Sequence, residues 1–266
     1  MPSFFTIDAA DDPRIASYRD VRERDLMGRS GLFVAESEVV VRVMVGSGRW
    51  GVHSMLLEQR RVEGMRDVLE RLEDDTKIYV APQKVMDAIV GFPIHRGVLA
   101  LGQRGMDLHP DELLGKEGTF VGLVGLTNHD NVGGIFRNAA AFGAAGVLLD
   151  RASCDPLYRK SIRVSVGASL LVPFARGEDP VDLVDRCARR GHEVIALTPK
   201  ADLLLEDLAR EPPRPRVLLL GTEWEGLSEE VMARTRRVRI PMSSAYGLDS
   251  LNVAVASGIA LAALRS

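Results

Sequence analysis

Three short segments in the second half of the chain hold residue types that could do chemistry together. The first reads Thr127-Asn-His-Asp-Asn-Val-Gly-Gly134 and runs on into Ile-Phe-Arg-Asn-Ala139. A glycine pair lets backbone come close to a ligand or another chain, and the free N–H groups of a following helix start favour an anion. With a helix predicted over Gly134–Phe142, Arg137 falls in its first turn, where a cation opposes the helix dipole. That placement asks for a phosphate or a carboxylate partner; the plainer alternative is a capping loop with Arg137 in a structural ion pair. The second segment is Gly221-Thr-Glu-Trp-Glu-Gly-Leu-Ser228. Its glycines expose backbone groups to a small molecule, Glu223 and Glu225 can meet cationic or hydroxyl groups, and Ser228 suits a helix N-cap. The third is Pro241-Met-Ser-Ser-Ala-Tyr-Gly-Leu-Asp-Ser-Leu-Asn-Val-Ala254. Ser250 or Asn252 would cap the last helix, and either could also hydrogen-bond a ligand.

What must position these segments is an alternation of strand and helix. Strands are predicted at Thr119–Leu126, Gly146–Asp150, Leu170–Phe174, Glu193–Leu197, Arg216–Leu220 and Arg237–Ile240. FVGLVGL and RVLLL are nearly continuous apolar runs, the pattern of parallel strands buried on both faces. Helices fit at Gly134–Phe142, Val181–Arg190 and Ser228–Thr235. The last helix, Asn252–Leu264, is apolar nearly all round and should be buried against the sheet or a partner chain. Residues 119–266 thus form an α/β domain with a mostly parallel sheet and helices on both faces. Such a sheet binds ligands at the carboxyl ends of its strands, and each of the three segments follows a strand. The Gly-x-Gly-x-x-Gly fingerprint and the P-loop are both absent, which argues against a nucleotide-dependent dehydrogenase.

Residues 1–104 form a separate, small α/β unit. Helical spacing at Ile15–Leu26 precedes a strand at Gly31–Ala35 and a helix at Ser37–Val45. Strands at His53–Leu57, Lys77–Val80 and Gly97–Leu101 alternate with helices at Gly64–Leu72 and Pro82–Ile89. Residues 105–118, rich in glycine and charge, are read as the linker. The net charge of −3 weighs mildly against a nucleic-acid partner, although local patches matter more than the sum. Arg22, Arg24 and Arg29 form one basic cluster, and Arg159, Lys160 and Arg163 another. The two cysteines, Cys154 and Cys187, make neither a metal cluster nor a disulfide framework, so no metal is expected and a reducing cytoplasm is the expected location. No apolar run approaches the roughly 20 residues of a membrane span, and the opening MPSFFTIDAADDPR lacks the pattern of a signal peptide.

In order and spacing, Asn131…Arg137, Gly221-x-Glu223-x-x-Gly226 and Ile240-Pro-Met…Ser250-Leu-Asn252 resemble the three signature motifs of the SpoU/TrmH family of SPOUT methyltransferases. Asp155-Pro156…Ser165-x-Gly167, Phe33-Val-Ala-Glu36 and Gly91-Phe-Pro-Ile-His-Arg-Gly-Val98 extend the likeness over nearly the whole chain. Two features depart from the pattern: the connection Ser243–Asp249 is longer, and Trp224-Glu225 stands where many members carry a small or different pair. The resemblance implies an RNA 2′-O-ribose methyltransferase that uses S-adenosylmethionine, with a C-terminal trefoil knot and a ribosomal-protein-like N-terminal domain. It implies a homodimer joined through the C-terminal helices, with tRNA or rRNA as substrate. It implies a cofactor pocket at Leu197, Thr198, Gly221, Gly226, Ile240, Met242 and Leu251. It also implies catalytic work by Arg137, with Asn131, Glu223, Ser250 and Asn252 orienting it and shaping the loops. RNA capture would fall to Arg22, Arg24 and Arg29. A rival reading keeps the fold as an RNA-binding scaffold without methyl transfer.

Overall fold

The computed structural model describes residues 2–19, 30–90, 97–177, 179–222, 224–243, 245–247 and 250–265. The arginine cluster Arg22, Arg24 and Arg29 lies outside these residues, as does Glu223. The chain packs as two compact units, one of Met1–Met106 with Leu157–Leu171, the other of Asp107–Pro156 with Val172–Ser266.

The first unit is built on a five-stranded mixed sheet. Its strands are β1 (Ser3–Thr6), β2 (Leu32–Glu36), β3 (Gly51–Glu58), β4 (Lys77–Ala81) and β5 (Val98–Gln103), in the order β1-β4-β3-β5-β2. The pairs β1/β4 and β3/β4 run parallel, and β3/β5 and β2/β5 antiparallel. Helix α1 (Glu38–Ser47) follows β2 because Ser37 turns the chain and its hydroxyl accepts from Val40 N–H. The region predicted as a helix at Gly64–Leu72 instead forms a 3-10 turn and the short α2 (Arg66–Leu69); α3 spans Gln83–Val90. One buried cluster joins Ile7, Tyr18, Leu56 and Tyr79 to Val85 and Met86 of α3.

Residues 157–171 were expected to belong with the second half, yet they pack in this first unit. They form α6 (Arg159–Val164) and α7 (Ala168–Leu171). The predicted strand Leu170–Phe174 is therefore wrong over most of its length: Ala168–Leu171 is helical and only Phe174–Arg176 is a strand. An apolar run this short cannot distinguish a buried helical turn from a strand. Trp50 fastens the segment through a hydrogen bond from its indole N–H to Leu170 O (2.9 Å). Buried Glu36 receives Arg159 at 2.9 Å and Arg163 at 3.9 Å. Two members of the second basic cluster thus serve an internal ion pair.

The second unit holds a six-stranded, wholly parallel sheet. Its strands are β6 (Thr119–Leu123), β7 (Gly146–Leu149), β8 (Phe174–Arg176), β9 (Glu193–Leu197), β10 (Arg216–Leu220) and β11 (Arg236–Val238), in the order β11-β9-β10-β6-β7-β8. Side chains alternate between its faces. On one face Phe120, Leu148, Val217, Leu219, Val194 and Ala196 pack with Leu183, Val184 and Cys187 of α8 (Pro180–Arg189) and with Val231 and Met232 of α10 (Glu229–Met232). The stretch 105–118 supplies α4 (Pro110–Leu113), whose Leu113 joins the same core with Leu114. On the other face Phe136 of α5 (His129–Ala141) meets Phe174 edge to face, with ring centroids 5.9 Å apart. The short α9 is Leu205–Ala209, and the final helix, α11, is Val253–Ala263.

At the amino ends of the strands, an ion network binds three of them. Glu193 of β9 receives Arg216 of β10 at 3.3 Å and Arg236 of β11 at 2.9 Å, and Arg236 also pairs with Glu211. Arg236 holds the Glu211 carboxyl below the usual carboxylate range. This edge is closed by charge pairs, which leaves the carboxyl edge to the loops. Burial in the apolar core pushes the Cys187 thiol up to about 12, so it stays neutral and unreactive.

Candidate active site

Parallel pairing puts the ends of β6, β9, β10 and β11 at one edge. Leu123 lies opposite Leu220, and Ala196 opposite both Leu219 and Arg237. The loops that leave these ends are the three segments singled out by their residue types, with Leu197-Thr198 as a fourth.

The loop after β6 is short because α5 begins early. Asn128 caps it, accepting from Asp130 N–H (2.9 Å), and the helix starts at His129. The predicted start at Gly134 is five residues late, since two consecutive glycines read as a break but here sit inside the helix. Asn131 is consequently a first-turn helical residue and buried. Arg137 lies in the third turn and is exposed. The dipole argument for its placement falls with that correction. What singles Arg137 out is its surroundings: long helical side chains lean back over the preceding turn, and positions i−4 and i−3 are Gly133 and Gly134. Among the described residues it has no ion-pair partner.

Gly134 is required by α11. A β-carbon there would come within 2.9 Å of Ala254 Cβ. The two helices are further joined by Asn138, whose Nδ2 donates to Ala254 O (2.6 Å) and Ser257 Oγ (2.9 Å). Asn252 does two jobs at this junction. Its Oδ1 accepts from Ala254 and Val255 N–H, capping α11, while its Nδ2 donates to Asn131 Oδ1 at 2.9 Å. The cap is therefore Asn252 and not Ser250, which is exposed.

The loop after β10 is a closed turn. Thr222 Oγ1 accepts from Glu225 N–H (3.2 Å) and Gly226 N–H (3.1 Å). Gly221 is packed against the far side of the turn, where a β-carbon would stand 2.5 Å from Gly226 C and 2.7 Å from Leu227 N. The turn also abuts the loop after β6, since a β-carbon on Gly125 would lie 2.7 Å from Thr222 Cγ2. Ser228 caps α10, accepting from Val231 N–H. In the third segment Met242 and Leu251 are partly exposed; just before it Ile240 is half-buried, and after β9 Thr198 N–H donates to Val238 O (2.9 Å).

The structure thus joins Asn131 to Asn252 directly, and the Gly221–Gly226 turn to the loop that precedes α5. Leu197, Thr198, Ile240, Met242 and Leu251 lie on strand ends or loops of the same edge. Sequence reasoning missed Asp150 and Ser153. Buried Asp150 accepts from Gly125 N–H (2.9 Å) and Ser153 N–H (2.8 Å), and Ser153 Oγ accepts from Leu126 N–H (3.1 Å). Together they mould the β6–α5 loop. The available signal was a lone carboxylate closing the apolar strand GVLLD. Asn138 was missed as well, although it stands seven residues after Asn131 and so on the same helical face.

A family model described as the SpoU rRNA Methylase family matches residues 118–262. The chain belongs to the SpoU methylase family. It is 36% identical over 258 residues to an uncharacterized tRNA/rRNA methyltransferase of Mycobacterium bovis, covering 94% of this chain and 88% of that relative. An uncharacterized tRNA/rRNA methyltransferase of Mycobacterium tuberculosis H37Rv shows the same identity and coverage. Among solved structures, the AdoMet-bound rRNA methyltransferase of Sinorhizobium meliloti superposes with a TM-score of 0.84 at 24% identity, over 98% of this chain and 97% of that one. The SpoU methyltransferase AviRb of Streptomyces viridochromogenes, in complex with AdoMet, gives 0.80 at 23% identity, over 95% and 97%. These two likenesses establish the fold. This SpoU chain is accordingly an RNA methyltransferase with an α/β architecture built on a parallel sheet.

In a SpoU methylase with this junction, Asn252 can be dissected by two substitutions. Asn252→Ala removes the cap and the contact to Asn131, and should cost about 1 kcal/mol of stability or somewhat more. Asn252→Asp keeps a capping oxygen but sets a carboxylate against Asn131 Oδ1 in place of a donor. It should unfold close to the wild type yet methylate RNA at least as poorly as the alanine variant. Thermal melts paired with methyl-transfer rates test this. Equal activity of the aspartate variant and the wild type would show that the Asn131 contact is incidental.

Proposed function

We propose that the protein transfers a methyl group from S-adenosylmethionine to a ribose 2′-hydroxyl of tRNA or rRNA. The observation that carries this reading is the meeting of distant segments at one sheet edge, with Asn252 bonded to Asn131 and Arg137 exposed on the same helix. The residues present suit the cofactor. Half-buried Ile240 and Leu197 with partly exposed Met242 and Leu251 offer apolar surface for a flat base and the carbon arms of a sulfonium. The strand-end backbone at Thr198, Gly221 and Gly226 offers donors and acceptors for polar edges. When bound, S-adenosylmethionine supplies a methyl already activated by its sulfonium leaving group, a chemistry that needs no metal.

The chain's own contribution is placement, which can lower a barrier by about 7–11 kcal/mol, and charge. An arginine guanidinium is a donor and not a base. Arg137 therefore grips the phosphate beside the target ribose and stabilises the oxygen as it turns anionic, while a phosphate oxygen or water takes the proton. Asn131 and Glu223 orient Arg137 and the loops, and Ser250 and Asn252 shape the third loop beside the ribose.

The remaining parts of the reading extend beyond this edge. Residues 1–104 capture the RNA, with Arg22, Arg24 and Arg29 as phosphate contacts. The C-terminal chain is threaded as the family's trefoil knot; in support, it leaves β11 at the sheet's margin yet returns to lay α11 on α5, which follows the interior strand β6. Two copies pair through α11, whose Val255 and Ile259 stand exposed one turn apart. Mapping ribose methylation across total RNA, with and without the protein, tests the function. A defined set of riboses should lose its methyl in the absence of the protein. Transfer to a base, or an unchanged map, overturns the reading.

A further inference from the structure

Two of the loops at the carboxyl edge each raise one aromatic side chain into solvent. Trp224, in the turn after β10, is 96% exposed and Tyr246, in the loop after β11, is 92% exposed. Among the described residues no other aromatic is exposed to this degree; the next, Phe4, is at 52% and lies in the other unit. Trp is highly buried on average in folded chains, and both Trp and Tyr pair an apolar ring with a polar tip, which suits them to binding surfaces. Trp224 stands within the turn that Thr222 Oγ1 closes by accepting from Glu225 and Gly226 N–H.

We propose that Trp224 and Tyr246 are stacking platforms for unpaired RNA bases beside the target nucleotide, and that they set which RNA is accepted. The inference rests on the reading of this edge as the methyl-transfer site. Sequence-specific RNA recognition targets splayed, unpaired bases stacked on aromatic faces. A ribose must be presented from such a region to reach an in-line position. Stacking does not depend on counterion release, whereas phosphate contacts do, and this gives the two kinds of contact different signatures.

The experiment uses the full chain and its Trp224→Ala, Tyr246→Ala, Trp224→Phe and Tyr246→Phe variants. Affinity for a fluorescein-labelled single-stranded RNA of mixed sequence is measured across a salt series, beside steady-state methylation of total tRNA and rRNA. Each alanine variant should bind the oligonucleotide about ten-fold more weakly, by the same factor at every salt concentration. KM for RNA should rise with kcat nearly unchanged, and each phenylalanine variant should recover most of the loss. Trp224 emission should be quenched on binding in the wild type. Alanine variants that bind within two-fold of the wild type overturn the proposal, as does a phenylalanine variant no better than alanine. A shift in oligomeric state without a change in RNA affinity also overturns it, assigning the aromatics to a protein contact. Because the binding arm needs no methyl transfer, loss of the stacking effect and failure of the catalytic reading are separate results.

Discussion

Replacing Arg137 with alanine is expected to lower methyl transfer by about 100-fold or more while leaving the protein folded and able to bind S-adenosylmethionine. The magnitude is that of a single preorganised donor aimed at charge that develops in the transition state. The fold should not notice the change, because Arg137 is exposed on α5 and surface substitutions away from special features stay within about 0.5 kcal/mol. Cofactor affinity, measured by calorimetry, should remain within about two-fold, since the proposed pocket draws on the strand-end loops and not on this side chain. Arg137→Lys tests the role more finely. Lysine keeps the charge but loses the planar fork that holds a phosphate through two donors, so it should recover only part of the rate. Full methylation by the alanine variant would remove Arg137 from the mechanism, whether it is assigned to the phosphate, the alkoxide or the hydroxyl proton.

Much of what positions Arg137 could be read before any coordinates. The apolar runs around Phe120 and Val217 announced a sheet buried on both faces, and its strands are indeed all parallel. That alone sends the loops after β6, β10 and β11 to one edge. Ser228 was legible as a cap, and the cap of the last helix was narrowed to Ser250 or Asn252, because a short polar residue before an apolar helix has few other uses. Long-range partners were not legible. Nothing local in Asn131 says that it will accept from Asn252, 121 residues away, nor that Asp150 will hold Gly125. The error at α5 has the same origin. Gly133-Gly134 reads as a helix breaker when only propensity is weighed, but Gly134 is a glycine because Ala254 packs against it. Tertiary contact overrode the local signal. Segment 157–171 teaches the complementary lesson: its chain position suggests one unit, but Trp50 and Glu36 claim it for the other.

Gly221→Ala should be the most disruptive single methyl group at the site. The added carbon would stand 2.5 Å from Gly226 C and 2.7 Å from Leu227 N, both backbone atoms. A flexible side chain could swing away; backbone must move as a turn. Movement is resisted from two directions, by the Thr222 bonds to Glu225 and Gly226 and by Leu227, which is buried in the sheet's core. Overpacking of this kind costs about 1–3 kcal/mol, which in a domain of this size lowers Tm by about 2–4 °C per kcal/mol. The larger effect should fall on the cofactor, because the turn that yields is the one whose backbone we propose lines the pocket, and affinity for S-adenosylmethionine should drop about ten-fold or more. Gly226→Ala is the control. Its φ of +71° disfavours a side chain, but no atom lies within 4 Å of the added carbon. That variant should carry only the strain of a left-handed residue, about 1–2 kcal/mol, with a smaller loss of binding. If calorimetry ranks the two variants the other way, with Gly221→Ala binding as the wild type does, the turn after β10 has no part in seating the cofactor.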